Sequence, residues 1–431
     1  MSLIYLNKAT RIEGNANMEI HVEKGRIRSA RFMVHEFRGF EKFVQGRRIE
    51  HVPQIISRIC GLCSASHQVA GIQAVEDAVG FVPPRSLQNI RDIVVLGEWI
   101  ASHSLSYFFL TMPDFVGAKG GIFELMDKDP QVVQEAYALR QGGQRITRLL
   151  SGRATHPVSL GIGKFFQPID HDTISQVRDT ASEIKKRVLR LIRTGRFQKP
   201  EIKIPFPAEQ RLNLLSAGRN GQGNRFRIFD RQGNVTDVFD VDEFSDHISE
   251  MRGGESLAKI PYLTRLGFPE GILMVGPLAR FLAVDGPMAD EEIRGLEIAG
   301  IFRDKSALTL ESFDICRILE ILWAANRILE LCADLDLNEI RNEVDCNVSG
   351  KGNGVIEAPR GVLLHTYLVN RGILEKARLL VATQFNNAFI NLLIRNIAER
   401  HIRDDCLSEE GEYLIGRCVR LFDPCLSCAT H

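Results

Sequence analysis

Two Cys-x-x-Cys pairs stand almost a whole chain apart. Cys60 and Cys63 lie in Arg58-Ile59-Cys60-Gly61-Leu62-Cys63-Ser64-Ala65-Ser66-His67, and Cys425 and Cys428 in Asp423-Pro424-Cys425-Leu426-Ser427-Cys428-Ala429-Thr430-His431. One such loop lets two thiolates reach a metal, and two loops make a four-thiolate site. If both pairs serve one metal, the two ends of the chain must fold together. That condition overrides the length prior, under which 431 residues would divide into roughly three domains. The expectation is a single domain over 1–431, with a turn-rich subregion at about 200–300.

Lys+Arg and Asp+Glu both number 54, so no net field draws the chain to nucleic acid or a charged membrane. No apolar run reads as long enough to span a bilayer, and Met-Ser-Leu-Ile-Tyr does not read as a signal peptide. Nine cysteines cannot all pair internally. Metal-bound and reduced thiols in a cytoplasm fit better.

Residues 18–34 alternate apolar and polar around Lys24-Gly25 and predict a β-hairpin. Pro53 opens a helix-like stretch carrying the first cysteine pair, and 88–111 reads as a long buried helix. Ile174, Val177, Ala181, Ile184, Val188 and Leu191 recur at helical spacing, with Asp172 as N-cap and Gly195 as stop. A second hairpin is expected across Gly233-Asn234, and helices over 306–335 and 384–401. The fold class is α+β and helix-dominated: a long central helix bundle, peripheral β-hairpins, and both cysteine pairs converging on one buried metal site.

On spacing alone, a structural zinc staple competes with a catalytic metal. Zinc knuckles close small loop-rich units, whereas a whole core-forming chain separates these pairs. Each pair also has a histidine downstream, His67 and His431. Cys316, Cys332, Cys346, Cys406 and Cys418 form no further Cys-x-x-Cys, so there is no cysteine set for an iron–sulfur cluster. Cys316 and Cys332 read as buried, inert thiols, and His103 and His156 as satisfied core residues.

Arg-Ile-Cys-Gly-x-Cys-x-x-x-His near the start, with Asp-Pro-Cys-x-x-Cys-x-x-His at the end, resembles the large, catalytic subunit of nickel–iron hydrogenases. Further matches keep that family's order: Arg11-Ile12-Glu13-Gly14, Arg38-Gly39-Phe40-Glu41, Gly152-Arg153-Ala154-Thr155-His156-Pro157 and Glu357-Ala358-Pro359-Arg360-Gly361. The resemblance therefore spans essentially the whole chain. It implies reversible heterolytic cleavage of H2 to protons and electrons.

The resemblance also implies roles. Cys60, Cys63, Cys425 and Cys428 would hold nickel, with Cys63 and Cys428 bridging to an iron that carries carbon monoxide and cyanide. Cys425 would be the first proton acceptor and Glu13 the relay beyond it. Glu13 otherwise reads as a surface carboxylate paired with Arg11. Arg360 would lie over the open side of the metals beside Asp423; otherwise it is an arginine in an exposed turn. Glu41, His431 and the carbonyl of Leu379 would hold magnesium or another hard cation. His67 would hydrogen-bond a cysteine sulfur rather than bind metal.

Some positions depart from the family. Asn15 stands where Arg-Ile-Glu-Gly is commonly followed by histidine, and Ser102 where respiratory members have aspartate. With Pro113-Asp114-Phe115, this is similar to the cytoplasmic multisubunit branch. The partners implied are a small subunit carrying iron–sulfur clusters and further electron-transfer subunits linked to NAD(P), ferredoxin, a deazaflavin or a disulfide. A maturation protease and nickel-insertion proteins are implied as well. The rivals are a hydrogen sensor with the same metals, the zinc staple, and the quinone-site subunit of respiratory NADH dehydrogenase. The last has lost these four cysteines.

Overall fold

Helix-forming periodicity governs the middle of the chain. The computed structural model describes residues 2–6, 10–118, 120–195, 204–207, 211–219, 224–252, 256–283, 286–302 and 308–430. Helices α1 (Ser64–Ala78), α2 (Arg85–Ser104), α3 (Pro130–Ser151), α4 (His171–Arg193) and α5 (Ser312–Leu331) follow in order. Helix α2 packs on α3 and α5, and α4 closes the ring by packing on both of them. This is the central bundle expected from the sequence. The six apolar positions of α4 are all buried.

Two boundaries differ from the sequence reading. Helix α4 is capped by Asp170, whose side chain accepts from Thr173 N at 2.8 Å, not by Asp172. Asp170 keeps extended backbone while His171 is already helical, so Asp172 falls in the first turn. There its charge still complements the helix dipole. The first cysteine pair is not helical either. Cys60 is extended and Cys63 is the N-cap of α1; the loop between them frees both sulfurs to point one way.

Helix α2 runs on through a π-helical stretch, Leu105–Thr111. The whole run, Arg85–Phe115, is long and apolar enough by composition to cross a membrane, with a mean hydropathy of 1.4 in its most apolar window. This corrects the expectation that no run reaches that length. Arg91, Asp92 and Glu98 break the run by eye yet leave a qualifying window. Of that window 78% is buried inside the protein, as befits the core helix of a bundle.

Strands β1 (Ser2–Leu6), β2 (Ala16–Glu23) and β3 (Arg26–Val34) form an antiparallel sheet, and β2–β3 is the expected hairpin. In the turn-rich region, β4 (Asn213–Arg219), β5 (Asn224–Phe229) and β6 (Val235–Asp240) form an antiparallel meander, with β7 (Leu273–Met274) parallel to β4. Strands β8 (Gly350–Ala358), β9 (Gly361–Asn370) and β10 (Ile373–Leu380) make a third sheet, followed by α6 (Ala382–His401) and α7 (Glu409–Phe422). Leu215, Phe226, Val275, Val355, Val362 and Phe385 share one apolar cluster. The turn-rich region is thus packed onto the β8–β10 sheet.

Strand β8 lies unusually close to α1. A Cβ on Gly350, Gly352 or Gly354 would stand 1.9–2.2 Å from the carbonyl oxygens of Ala78, Ala74 or Ala70. Glycines at every second strand position meet alanines at every fourth helix position, so both periodicities present only small groups. Helix α1 starts at Cys63 and β8 leads into Arg360. The close contact fixes those two residues relative to each other.

Candidate metal centre

Two short segments, far apart in sequence, deliver four sulfurs to one point. Cys60 and Cys63 come from the loop before α1. Cys425 caps a short turn of helix, Leu426–Ala429, after α7, and Cys428 lies within that turn. Cys60 Sγ lies 3.3 Å from Cys425 Sγ, Cys63 Sγ 3.2 Å from Cys428 Sγ, and Cys425 Sγ 2.9 Å from Cys428 Sγ. All four sulfurs lie within 4.8 Å of one another and all four residues are buried. These separations exceed the roughly 2.05 Å of a disulfide, and all nine cysteines are free. Among the described residues, no other group of histidine, cysteine or acidic side chains has metal-site geometry.

The four thiols differ in acidity. Burial pushes the Cys425 and Cys428 thiols well above their ordinary pKa. Cys60 accepts hydrogen bonds from Cys425, Cys428 and Cys63 and is held well below it. Cys63 is raised to about 11, the lowering effect of Cys425 and Cys428 being outweighed by Cys60 and burial. Cys60 is thus the most acidic of the four, and the other three thiols hold their protons tightly. Removing the other protons takes a soft, thiophilic metal, and the sulfur set fits one.

Arg360 and Asp423 lie beside the sulfurs, both buried. Arg360 Nη2 meets both Asp423 carboxylate oxygens at 3.0 and 2.9 Å, its Nε donates to the Asp423 carbonyl at 2.6 Å, and Nη1 reaches Ser102 Oγ at 3.4 Å. Burial alone would lower the guanidinium's pKa, but Asp423, Cys425, Cys63 and Cys60 together hold it well above the ordinary value. The reading of Arg360 as an exposed-turn residue is overturned. Asp423 faces the guanidinium, as the resemblance implies.

Glu13 is not paired with Arg11. Arg11 binds the carboxylate of Asp114 and, at 2.9 Å, the carbonyl of Leu110, while Arg420 Nε holds the other Asp114 oxygen at 2.8 Å. Glu13 is left to Ser427. Its Oε1 accepts from the Ser427 hydroxyl and its Oε2 from Ser427 N at 3.0 Å. Asn15, at the position that differs from the family, donates to Glu36 at the surface at 2.8 Å.

His67 Nε2 lies 3.4 Å from Cys428 Sγ. Behind it, His67 Nδ1 is 3.1 Å from His365 Nε2, and His365 Nδ1 is 2.9 Å from the hydroxyl of Tyr367. Burial pushes the Tyr367 phenol far above its ordinary pKa, so it is neutral. A metal-bound thiolate at Cys428 would need a donor, and the chain would then be oriented with Tyr367 donating to His365, His365 to His67, and His67 to sulfur. Of the two histidines read as core residues, His103 Nε2 lies 2.9 Å from Glu320, and His156 Nδ1 lies 3.0 Å from the carbonyl of Ser57.

Glu41 and Leu379 come together, through the amide: Leu379 N donates to Glu41 Oε1 at 2.7 Å. A strand residue's N–H and C=O point to one side, so the Leu379 carbonyl faces the same edge. Glu41, Gln384 and Thr430 line a cavity of about 130 Å³, with Lys259 Nζ 3.9 Å from Glu41. Arg38 N donates to Thr430 O at 2.8 Å, tying the Arg-Gly-Phe-Glu segment to the C-terminal pair. His431, the remaining expected ligand, lies outside the described residues.

Four contributors carry no role that the sequence alone assigns. Ser427 stands inside the quoted motif but has no signature apart from its neighbours. Thr383 accepts from Cys425 N at 2.9 Å, and nothing local marks it. His365 and Tyr367 occupy alternate positions of β9, five and seven residues past Arg360, a period-2 signal that only the strand makes meaningful.

Residues 38–141 and 268–431 match the model of a family described as nickel-dependent hydrogenase. The chain is 31% identical over 462 residues to the A subunit of the F420-non-reducing hydrogenase of Methanothermobacter marburgensis, covering 100% of this chain and 95% of that protein. It is 30% identical over 472 residues to the beta subunit of the NAD-reducing hydrogenase HoxS of Cupriavidus necator, covering 99% and 94%. Among solved structures, an NAD+-reducing NiFe-hydrogenase in the H2-reduced state superposes with a TM-score of 0.89 at 27% identity, covering 100% of both chains.

Proposed function

The chain belongs to the nickel-dependent hydrogenase family as a catalytic subunit built around nickel and iron, and from that premise we propose how its residues divide the reaction. Cys60, Cys63, Cys425 and Cys428 would hold nickel, with Cys63 and Cys428 shared with an iron bearing carbon monoxide and cyanide. When bound, the metal pair supplies the centre at which H2 is split heterolytically and its electrons are taken up. The observation that carries the reading is the convergence of the four buried sulfurs within 4.8 Å, with a carboxylate bonded to the residue between two of them.

Cys425 Sγ takes the first proton. Glu13, bonded to the Ser427 hydroxyl, takes it onward from the sulfur side to the half-buried face of the chain. A carboxyl within hydrogen-bond reach of such a donor is suited to passing protons. Arg360 keeps a fixed positive charge beside the sulfurs and orients small ligands through a planar fork that stays protonated. Its ion pair with Asp423 holds that fork in place. His67 donates to Cys428 and steadies charge on that sulfur. Glu41 and the Leu379 carbonyl, with His431, would hold a structural magnesium that secures the C-terminal segment.

Electrons leave singly through iron–sulfur clusters on a small subunit, since the remaining cysteines of this chain are dispersed. The named relatives include subunits of both F420-non-reducing and NAD-reducing hydrogenases. For this chain, a cytoplasmic complex delivering electrons to NAD(P), ferredoxin, a deazaflavin or a disulfide is the matching reading. Maturation would involve nickel-insertion proteins and a protease.

An infrared spectrum of the purified complex tests the reading between about 1850 and 2150 wavenumbers, where diatomic ligands on a low-spin metal absorb. One carbon monoxide band with two cyanide bands is expected. Fully loaded nickel and iron without those bands would sink the iron assignment.

A further inference from the structure

Among the described residues, Arg280 is a heavily engaged buried charge outside the metal centre. It lies on a short helix, Pro277–Leu282, and is 4% exposed. Its Nε and Nη2 bind the two carboxylate oxygens of Glu320 at 2.6 and 2.8 Å, and its Nη1 meets Glu357 Oε2 at 3.0 Å. The guanidinium also lies 4.2 Å over the ring of Trp99. Two carboxylates would already neutralise one arginine. The fork nevertheless spends two further donors on backbone: Nη1 on the Ala358 carbonyl and Nη2 on the Pro359 carbonyl, each at 3.0 Å.

Those carbonyls belong to the two residues immediately before Arg360. The same segment is gripped elsewhere. Trp99 Nε1 donates to the Glu357 carbonyl at 2.9 Å. On the other side, a Cβ on Gly276 would stand 2.8 Å from the Arg360 carbonyl oxygen. Gly361 then turns the chain at φ +130°. Three consecutive carbonyls, those of Glu357, Ala358 and Pro359, are thus each held by a side chain from another element. Ordinary burial would satisfy them with strand partners or water.

We propose that Arg280 is a positioning residue for Arg360: its fork on the Ala358 and Pro359 carbonyls, backed by Trp99 on Glu357, sets where the Arg360 guanidinium stands over the metal centre. Glu320 and Glu357 fix Arg280, and His103 Nε2 lies 2.9 Å behind Glu320. The inference rests on the reading of Arg360 as a residue that orients ligands at the metals. Lysine at 280 keeps the charge but cannot span both carbonyls and both carboxylates. Misplacing an orienting group by a fraction of an ångström costs rate more than binding.

The test is a double-mutant cycle in the purified complex with Arg280→Lys, Arg360→Lys and both together. Arg280→Lys is expected to retain nickel and iron, to lower kcat for H2 oxidation about tenfold, and to leave KM nearly unchanged. In the Arg360→Lys background it should add less than about twofold. Backbone amide exchange across residues 358–362 should rise in Arg280→Lys, with metals loaded or not, while peptides elsewhere keep their rates. Multiplicative effects on kcat, or unchanged exchange at 358–362, overturn the proposal and leave the Arg360 reading standing. Full activity in Arg360→Lys alone overturns that reading, and the proposal with it. Should Arg280→Lys fail to load metal, Trp99→Phe removes the bond to Glu357 while keeping an aromatic ring beneath Arg280. It must slow kcat in the same non-additive way, and an unaltered kcat there also overturns the proposal.

Discussion

Ser427 and Glu13 are bonded twice, hydroxyl to Oε1 and backbone N to Oε2 at 3.0 Å. Ser427 sits between two sulfur donors at one end of the chain, and Glu13 lies near the other. A further bond, Leu426 N to Glu13 O at 3.3 Å, and a parallel bridge between Glu13 and Cys425 extend the contact. The N-terminal segment therefore completes the second cysteine loop as a strand-like partner. The carboxylate reaches the metal centre through that loop, not through an ion pair with Arg11.

Glu13→Gln separates the two services of this carboxylate. Glutamine still offers an oxygen to the serine, so the loop and the nickel and iron content should be retained. It cannot carry a proton, and H2/D+ exchange should fall by about a hundredfold or more, the usual contribution of a positioned acid–base group. Exchange at the parent rate would remove Glu13 from the relay.

The cysteine pairs, the β2–β3 hairpin, helix α4 and the burial of Cys316 and Cys332 were legible because each has a local signature: fixed spacing, period 2, period 3.6, or apolar context. The β8–β10 sheet was not. Gly350, Gly352 and Gly354 carry no strand-forming side chain, and only the alanine stripe of α1 explains them. The alternative pairing of Glu13 with Arg11 fails for a related reason. Arg11 is its neighbour in sequence, but the backbone of Arg11 is left-handed, φ +59°, and its side chain goes to Asp114. Contacts between residues distant in sequence, such as Cys425 with Thr383 or Arg280 with Pro359, carry no sequence period and appear only with the fold.

Cys428 stands at the meeting point of the set, 3.2 Å from Cys63, 2.9 Å from Cys425 and 3.4 Å from His67. Cys428→Ala should abolish loading of both metals while the central bundle stays folded, since the bundle's contacts lie elsewhere. Metal analysis with far-ultraviolet circular dichroism reads both. Full nickel and iron in this variant would exclude a bridging role.

The chain Tyr367–His365–His67 ends on the same sulfur. His67→Ala removes the side chain that donates toward Cys428, and the expected cost is about 10–100-fold in metal retention or H2 oxidation, as for other residues that orient a ligand. Tyr367→Phe should act in the same direction but more weakly, with a stability loss of about 1 kcal/mol for one buried hydrogen bond. Equal losses in the two variants would mean that the histidines matter only for packing.

Glu98 supplies a pH signature. It is buried in α2 and accepts from Ala65 N at 2.8 Å and Ser66 N at 3.0 Å, at the start of α1 just past Cys63. Burial raises its carboxyl from 4.5 to about 7, against the lowering effect of those bonds. The folded chain therefore keeps a proton that the unfolded chain releases. Stability from this group is fully present below the unfolded value and is lost as pH rises through about 7. A shift of this size is worth on the order of 3 kcal/mol. Glu98→Gln cannot titrate, and it carries a fixed penalty because its amide group faces a Ser66 donor. The variant should be less stable than the parent at pH near 5, and the gap should narrow toward pH 8. Melting temperatures of both proteins across that range decide it: curves that stay parallel would show that Glu98 is ionised throughout in the folded chain.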